Sequence, residues 1–379
     1  MLSKKKPLRI GILITHPKSE KKKDELVYCN SNKRPWLKQL NQFDELKKLK
    51  SKITINNDKG KKCCPGDVSV GIYIRWKYDI KVDLIPPNEI TRDRLKRNTV
   101  NFMLIYDLLE AFHSKSKNNK SFKQLEKILK EADNVYPPYK DQALINNKYS
   151  YINYLSKKKK NVIPSIQVER SEYHKWKSNI DKFIDQLINK INKKEWKQFI
   201  AKPLFGQESI GFKRFSADFK KAKTELKQYL KKMLNGKINY PGIILQKYIE
   251  GFDKNKPEIR LYYFDGKYKY SVVTTGSRVS IPSTENGTMK VPPMEGLKRM
   301  GKTIVNTLPE IKMKGQKLPR LLTRIDIACD KKFKKPWIIN EVEFVPSLYI
   351  EDVTEIPEIG LGDSMVRIAR RLYSKKKKK

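Results

Sequence analysis

The stretch RIDIACDKKFKKPWIINEVEF, residues 324–344, contains two apolar segments that carry acidic side chains. Side chains alternate along a strand, so Arg324 and Asp326 share one face of a first strand. Glu341 and Glu343 share one face of a second strand for the same reason. If the strands pair, three carboxylates converge among apolar neighbours and repel one another unless a cation neutralises them. Oxygen-only ligands favour a hard ion such as Mg²⁺, whereas the alternative is a half-exposed sheet whose polar face meets solvent.

The whole chain has 379 residues, which is enough for two or three domains or lobes. Hydrophobic residues make up 38% of it, which supplies a packed core and argues against extensive disorder. Its 83 basic and 41 acidic residues give a net charge of +42. Such a charge attracts nucleic acid, anionic membranes or acidic polypeptides. A lysine-rich composition is also typical of an AT-rich genome, so the charge alone does not identify a partner.

The chain lacks an apolar stretch of about 18 residues, so no membrane-spanning helix is expected. The short apolar run Leu8–His16 follows a basic start, and it is interpreted as a first strand rather than a signal peptide. Cys29, Cys63, Cys64 and Cys329 show no zinc-binding spacing, and adjacent cysteines are poorly placed for an ordinary disulfide framework. We therefore expect an intracellular, reducing location.

The N-terminal third is predicted to be a small open α/β lobe. The alternating sequence DVSVGIYIRW, residues 67–76, predicts a strand. Thr91 is expected to cap a helix that includes Val100, and a further helix is predicted over residues 122–130. Residues 17–67 are lysine-rich and weakly patterned, which is typical of an insertion.

Later segments predict helices at 143–155, 171–192, 216–234, 294–308 and 363–373, with strands between them and a disordered lysine tail at 374–379.

A second motif is FIAKPLFGQESIGF, residues 199–212. Lys202 ends an apolar strand, and the following loop contains Gly206, Ser209 and Gly211. Small residues let backbone N–H groups approach phosphate oxygens, while the lysine supplies a point charge. The Walker A pattern is absent, and an ordinary hairpin with one semi-buried lysine remains the alternative.

A third motif is IILQKYIEGFDKNKPEIRLYYFDGK, residues 243–267. The extended segment 246–249 can offer backbone groups to an adenine edge, while acids of the next loop reach a ribose. Arg260 shares a strand face with Glu258, and Arg278 follows further along the chain. Two arginines beside a nucleotide could stabilise phosphoryl charge, although each could equally form a surface ion pair.

The order of these motifs resembles the ATP-grasp superfamily, which includes glutathione synthetase, D-alanine–D-alanine ligase and tubulin tyrosine ligase. The resemblance runs from near Tyr136 to Ser347 and includes the short motifs EIR, SR, RID and NEVEFVPS. It implies an α/β (α+β) fold in which two α+β subdomains clasp ATP behind a small N-terminal lobe. The implied boundaries are 1–135 for the lobe, 136–250 and 251–373 for the subdomains, and 374–379 for the tail.

The resemblance also implies roles for single residues. Those expected to bind the nucleotide are Lys148, Lys202, Gly206, Ser209, Gly211, Gln246, Tyr248, Glu250 and Asp253. The groups expected to contact the transferred phosphate or acyl phosphate are Arg260, Arg278 and Lys202. The ligands expected for two Mg²⁺ ions are Asp326, Glu341 and Glu343. Two positions depart from the family pattern: Glu343 replaces a common asparagine, and Asn147 precedes Lys148 where the family has an aspartate.

By this resemblance the protein is an ATP- and Mg²⁺-dependent ligase. A substrate carboxylate attacks the γ-phosphate of ATP, and an amine, thiol or other nucleophile then displaces phosphate from the acyl phosphate. One alternative is a kinase of the same fold that phosphorylates a polyanionic small molecule such as an inositol phosphate. Another is a catalytically inactive, basic binding or structural protein that keeps the fold, for example one packed with nucleic acid.

Overall fold

A computed structural model describes the protein at residues 7–14, 26–28, 32–43, 54–56, 60, 62–103, 119–205, 211–216, 218–236, 240–249, 258–275, 278–280, 294–329, 337–344, 346, 348 and 356–375. Its helices are α1 (Gly66–Tyr78), α2 (Arg92–Lys96), α3 (Asn119–Glu131), α4 (Tyr139–Asn146), α5 (Lys148–Lys157), α6 (Arg170–Lys175), α7 (Ile180–Lys193), α8 (Phe219–Leu234), α9 (Met294–Thr307) and α10 (Pro357–Lys375). Its strands are β1 (Arg9–Leu13), β2 (Leu26–Tyr28), β3 (Ile55–Asn56), β4 (Lys62–Pro65), β5 (Lys81–Ile85), β6 (Val100–Phe102), β7 (Val135–Tyr136), β8 (Ser165–Glu169), β9 (Phe199–Pro203), β10 (Lys213–Phe215), β11 (Gly242–Lys247), β12 (Glu258–Phe264), β13 (Lys267–Thr275), β14 (Arg278–Ser280), β15 (Ile311–Met313), β16 (Gln316–Leu318), β17 (Leu322–Cys329) and β18 (Trp337–Glu343). None of the helices in these ranges combines the length and the apolar character that a membrane span needs.

The N-terminal lobe is built on a parallel sheet with the strand order β5-β1-β6-β7. Ile10 and Ile12 of β1 pack into one apolar cluster with α1 and α10, whereas Leu13 packs into another with Leu125 and Leu129 of α3. Helices therefore cover both faces, as expected for a parallel sheet.

Residues 67–76 lie in helix α1, so the predicted strand is wrong. The helix is buried along most of its length between the parallel sheet and α10, and its apolar residues therefore point in every direction. Gly71 lets β5 approach closely, because a Cβ at this position would lie 2.6 Å from Leu84 Cδ2. A helix that is apolar on all sides has no 3.6-residue pattern, so its β-branched residues resembled an alternating strand.

Four predicted helices have different bounds in the structure. The helix predicted at 363–373 is α10, which begins at Pro357 and extends through Lys375 into the segment predicted as a disordered tail. Thr91 does cap a helix, since its Oγ1 accepts from Arg94 N at 3.2 Å, but α2 ends at Lys96 and Val100 lies in β6. The predicted helix 143–155 is two helices, α4 and α5, which meet at Asn147. The predicted helix 171–192 is α6, a 3₁₀ turn and α7.

The middle of the chain forms an antiparallel sheet with the order β10-β9-β11-β8. One face packs against α7 and α8 through residues such as Ile243 and Leu245. The opposite face carries Ile244, its cross-strand neighbour Lys202, and Gln246. Ile244 belongs to the apolar cluster that the middle sheet shares with the C-terminal sheet.

The C-terminal sheet is antiparallel with the order β14-β13-β12-β17-β18. One face packs with α5 and α9 through residues such as Leu261 and Ile325. The opposite face carries Tyr262 and Tyr270, which pack with α10 and the N-terminal lobe. The two sheets are joined at β18 by a bridge between Val162 and Ile339, where Ile163 N donates to Ile339 O at 3.0 Å.

Candidate active site

The three carboxylates singled out from the sequence converge on one face of the C-terminal sheet. Asp326 of β17 is the cross-strand partner of Glu341 of β18, and Glu343 lies two residues further along β18. One oxygen from each side chain lies within 4.8 Å of the others. Asp326 is 1% exposed, so its charge has little access to solvent. The strands pair as the alternation predicted, while the role of the trio as metal ligands stays a prediction.

A β-bulge at Asn340 adds a further polar group to this face. Asp326 pairs with Glu341 but the next residue, Ile327, pairs with Ile339, so Asn340 is the extra residue. Asn340 Nδ2 donates to Glu258 Oε1 of β12 at 3.0 Å. Bulges re-aim side chains in this way next to functional sites, and alternation alone does not predict it.

Arg324 lies among the acids and supplies a positive charge from within the protein. Its Nε and one terminal nitrogen donate to the two Asp326 oxygens, both at 2.7 Å, and a terminal nitrogen lies 2.9 Å from Glu343 Oε2. Burial alone would lower the pKa of Arg324, but the charges of Asp326 and Glu343 outweigh it and raise this pKa well above its usual value. The protein itself therefore supplies part of the positive charge that these converging acids require. The same-face spacing of Arg324 and Asp326 was the signal for this ion pair.

Two lysines from the preceding segments meet Glu341. Lys148 Nζ donates to Glu341 Oε1, and Lys202 Nζ lies 3.7 Å from Oε2. Burial opposes ionisation of Glu341, but the charges of Lys148 and Lys202 outweigh it and hold the pKa of this carboxyl below its usual value. Burial lowers the pKa of Lys202, and the like charge of Lys148 acts in the same direction, while Glu341 opposes them. Both lysines therefore lie beside the acidic cluster.

The position of Lys148 depends on the start of helix α5. Asn147 Oδ1 accepts from the backbone N–H groups of Tyr149 and Ser150 at 3.1 and 3.2 Å, which is an N-cap. Lys148 N donates to Leu204 O at 3.1 Å, just beyond β9. The asparagine that replaces the aspartate of the family pattern thus keeps a capping role.

Arg260 lies beside the same acids. Its Nε and a terminal nitrogen donate to Glu258 Oε2 at 3.1 and 3.0 Å, and its Nε is 4.0 Å from Asp326 Oδ2. Burial raises the pKa of Glu258, and the charge of Asp326 adds to this effect, while Arg260 opposes it. Arg278 lies in β14 at the other edge of the sheet, and the structure describes its backbone only.

Gln246 presents a hydrogen-bond acceptor that has no donor among the described residues. Its side chain is fully buried, Nε2 donates to Ser165 Oγ at 3.0 Å, and Oε1 has no partner. Gln246 and Lys202 lie on the same face of the middle sheet. A buried acceptor without a donor costs free energy, so this position favours a ligand that brings an N–H group.

Tyr248, in the extended segment 246–249, contacts a residue that the sequence did not single out. The guanidinium of Arg214 lies 3.7 Å from the centre of the Tyr248 ring, and Tyr248 N donates to Gln198 O at 3.0 Å. Arg214 is also held by Gln198 Oε1, at 2.6 Å from a terminal nitrogen. This contact depends on the pairing of β9, β10 and β11, which local sequence does not specify.

Five predicted nucleotide contacts fall in segments that the sequence predicts as loops. Gly211 has a φ of +74°, which glycine adopts without strain, and its carbonyl accepts from Tyr229 Oη at 2.6 Å. The other four lie outside the described residues: Gly206, Ser209, Glu250 and Asp253.

Solved structures with the same architecture come from several ligases. D-cycloserine synthetase DcsG matches with a TM-score of 0.57 and 14% identity over 81% of this chain and 94% of that chain. D-alanyl-alanine synthetase A from Vibrio cholerae matches with a TM-score of 0.54 and 11% identity over 97% of this chain and the whole of that chain. D-alanine–D-alanine ligase from Bacillus anthracis, complexed with ATP, matches with a TM-score of 0.50 and 14% identity over 97% of this chain and 99% of that chain.

These proteins are ATP-grasp ligases. The chain has the ATP-grasp fold. At such low identities the likeness establishes the fold and leaves the reaction open. No family model matches the sequence, and no curated protein matches it either. Within this ATP-grasp chain, the middle sheet carries Lys202 and Gln246, the C-terminal sheet carries the carboxylates, and the two meet at Glu341.

Proposed function

We propose that this ATP-grasp chain is a ligase that uses ATP and Mg²⁺ to activate a carboxylate for attack by an amine or a thiol. The observation that carries the proposal is the meeting of Lys148 and Lys202 with Glu341, beside Asp326 and Glu343. Buried charges of both signs are costly unless they are paired. Their concentration at the junction of two sheets fits a site built to bind a triphosphate and a metal.

The nucleotide fits the residues present. Gln246 Oε1 lacks a donor, and an adenine amino group would supply one. Lys202 lies on the same sheet face and would reach phosphate, together with Lys148. By the resemblance, further residues would complete this proposed site: Tyr248 at the base, Glu250 or Asp253 at the ribose, and Gly206, Ser209 and Gly211 at the phosphates.

The metal fits as well, because the converging ligands are all carboxylate oxygens. Asp326, Glu341 and Glu343 would hold Mg²⁺, with two ions expected from the resemblance. When bound, Mg²⁺ supplies Lewis-acid stabilisation of charge on the phosphoryl oxygens.

The residues of the chain would then act on the reacting groups. A carboxylate oxygen of the substrate attacks the γ-phosphorus, and the bond to the β,γ-bridging oxygen breaks to release ADP. The nucleophile attacks the acyl carbon, loses a proton and expels phosphate. Arg260, fixed by Glu258, and Lys202 would stabilise the transferred charge, with Arg278 as a further contact. No protein nucleophile is required.

The test of this proposal combines nucleotide binding with product analysis. Protein incubated with Mg²⁺, ATP and a panel of amino acids should release ADP and phosphate in equal amounts when an acceptor pair is present. Asp326→Asn should abolish turnover, whereas Asp181→Asn, at an exposed ion pair with Lys227, should not. Absence of ATP binding, together with an Asp326→Asn variant that matches wild type, would contradict the proposal.

A kinase of the same fold is the second candidate, and the net charge of +42 favours it because a polyphosphorylated substrate would be attracted. The two reactions leave different products. A kinase yields ADP and a stable phosphorylated product without free phosphate, whereas the ligase yields ADP, free phosphate and a new amide or thioester.

A further inference from the structure

The predicted metal ligands already have partners within the protein. Lys148 contacts one oxygen of Glu341, and Lys202 lies 3.7 Å from the other. Arg324 occupies both oxygens of Asp326 and one oxygen of Glu343. A metal ion bound by these acids would therefore compete with the side-chain cations for the same oxygens.

The charges of this cluster also balance. Four acids, Glu258, Asp326, Glu341 and Glu343, stand against four bases, Lys148, Lys202, Arg260 and Arg324, within the ion-pair network of the described residues. A divalent ion alone would add two positive charges to a neutral, largely buried group. It would also displace a lysine from Glu341 without supplying a new negative charge to pair with that lysine.

ATP removes this obstacle because its phosphates are strong acceptors for lysine. We propose that the metal and the nucleotide bind this site as a coupled pair: ATP phosphates draw Lys148 away from Glu341, and the released carboxylate then accepts the metal. The inference rests on the proposed ATP binding and goes beyond it, because it assigns Lys148 as the group that excludes metal from the site when no nucleotide is bound.

Such coupling is reciprocal: the nucleotide raises the metal affinity by the same factor by which the metal raises the nucleotide affinity. The experiment uses Mn²⁺ as a spectroscopic probe and a nonhydrolysable ATP analogue. Free Mn²⁺ is followed by electron paramagnetic resonance, with the binary Mn²⁺–analogue complex measured separately and subtracted. Wild type should bind Mn²⁺ about tenfold or more tightly with the analogue than without it.

Lys148→Met removes the competing cation. This variant should bind Mn²⁺ without nucleotide several-fold more tightly than wild type, and the effect of the analogue should shrink. Lys227→Met, which removes a lysine from an exposed ion pair with Asp181, is the matched control and should leave both affinities unchanged. Lys202→Met tests the second lysine in the same way, and thermal melts establish that each variant is folded.

Equal Mn²⁺ affinity with and without the analogue in wild type would overturn the inference. Unchanged nucleotide-free Mn²⁺ affinity in folded Lys148→Met would overturn it too, whatever the result for Lys202→Met. Failure of wild type to bind any adenine nucleotide, with or without metal, would instead overturn the proposed function. The nucleotide titration therefore separates the two failures.

Discussion

Single side chains determine which hydrogen-bonding group the middle sheet presents at Gln246. Ser165 Oγ donates to Ile163 O at 3.0 Å, so its oxygen is left to accept from Gln246 Nε2. This fixes the amide of Gln246 with its carbonyl oxygen toward the position that lacks a donor. An acceptor in this place matches the amino group of adenine and opposes the carbonyl oxygen that guanine carries at the same position.

Ser165→Ala should weaken ATP binding about fivefold, the equivalent of one hydrogen bond of about 1 kcal/mol, because the amide of Gln246 loses its orientation. Gln246→Leu should reduce the preference for ATP over GTP by a similar or larger factor. Calorimetric titration with each nucleotide measures both effects. Ser171→Ala, at an exposed hydroxyl bonded to Glu169, is the control. An unchanged ATP-to-GTP ratio in both variants would contradict the assignment of Gln246 to the base.

Arg324 is the cation on which the buried acids depend. Arg324→Met leaves Asp326 and Glu343 without this partner and should reduce the free energy of unfolding by about 3–5 kcal/mol. Burial raises the pKa of Glu343, and the charge of Arg324 opposes this effect. In the variant this pKa rises further, so Glu343 binds a proton as the pH falls, and the loss of unfolding free energy relative to wild type should shrink. Urea unfolding of wild type and Arg324→Met, at neutral and at mildly acidic pH, measures this difference in unfolding free energy. Arg92→Met, at an exposed ion pair with Glu131, should cost less than about 1 kcal/mol.

The sequence predicted the acidic trio and both lysines, because strand alternation and motif order depend on local spacing. It did not predict the contribution of Asn340, and it left the partner of Arg260 open, although it placed Arg260 and Glu258 on one strand face. The first depends on a bulge that changes which side chains share a face, and the second on a rotamer choice among several acids. Such partners follow from tertiary register, which a single sequence leaves open.

For whole helices and strands, too, the sequence predicts what depends on a local pattern and misses what depends on distant segments. Strands β17 and β18 and helices α8 and α9 follow from their patterns, since each has one apolar face or one continuous apolar run. Helix α1 was predicted as a strand because its pattern reports burial on all sides, and the sheet and α10 that bury it come from distant sequence. A local pattern gives the burial of an element but not what covers it.

The position of Lys148 depends on the N-cap of α5, and this dependence can be tested. Asn147→Ala removes the N-cap and should lower the free energy of unfolding by about 1 kcal/mol. It should also weaken ATP binding, because Lys148 is the first residue of the helix. Asn147→Asp restores a capping oxygen and should recover both properties. Chemical denaturation and nucleotide titration of the two variants measure this, and equal behaviour of alanine and aspartate would contradict it.

Across the molecule, part of the segment predicted as an insertion belongs to the core. Arg34 and Glu358 form a buried ion pair, with Arg34 Nε 2.5 Å from Glu358 Oε1. Ser69 Oγ of α1 donates to the same oxygen at 3.2 Å and accepts from Trp36 Nε1 at 3.0 Å. Residues near 35, helix α1 and the C-terminal helix α10 are thereby tied together, although they are distant in sequence.

Glu358→Gln should destabilise the whole protein by about 3–5 kcal/mol, because the buried charge of Arg34 loses its partner carboxylate. The double variant Arg34→Met/Glu358→Leu should lose less unfolding free energy than the sum of the losses of the two single variants. Thermal and denaturant unfolding of the set measures the coupling. Glu310→Gln, at a half-exposed ion pair with Lys317, is the control. Additive losses would show that the two residues do not act as a pair.

The bridge between Val162 and Ile339 has a consequence for solubility. Strand β18 is the last strand of its sheet, and its backbone would otherwise present unpaired donors and acceptors to other chains. Ile163 N donates to Ile339 O, and Ile339 N donates to Asn161 O at 2.9 Å, so the outer side of β18 is already paired at this point. At Ile339, two residues before Glu341, the edge of β18 is therefore closed to edge-to-edge association with another chain.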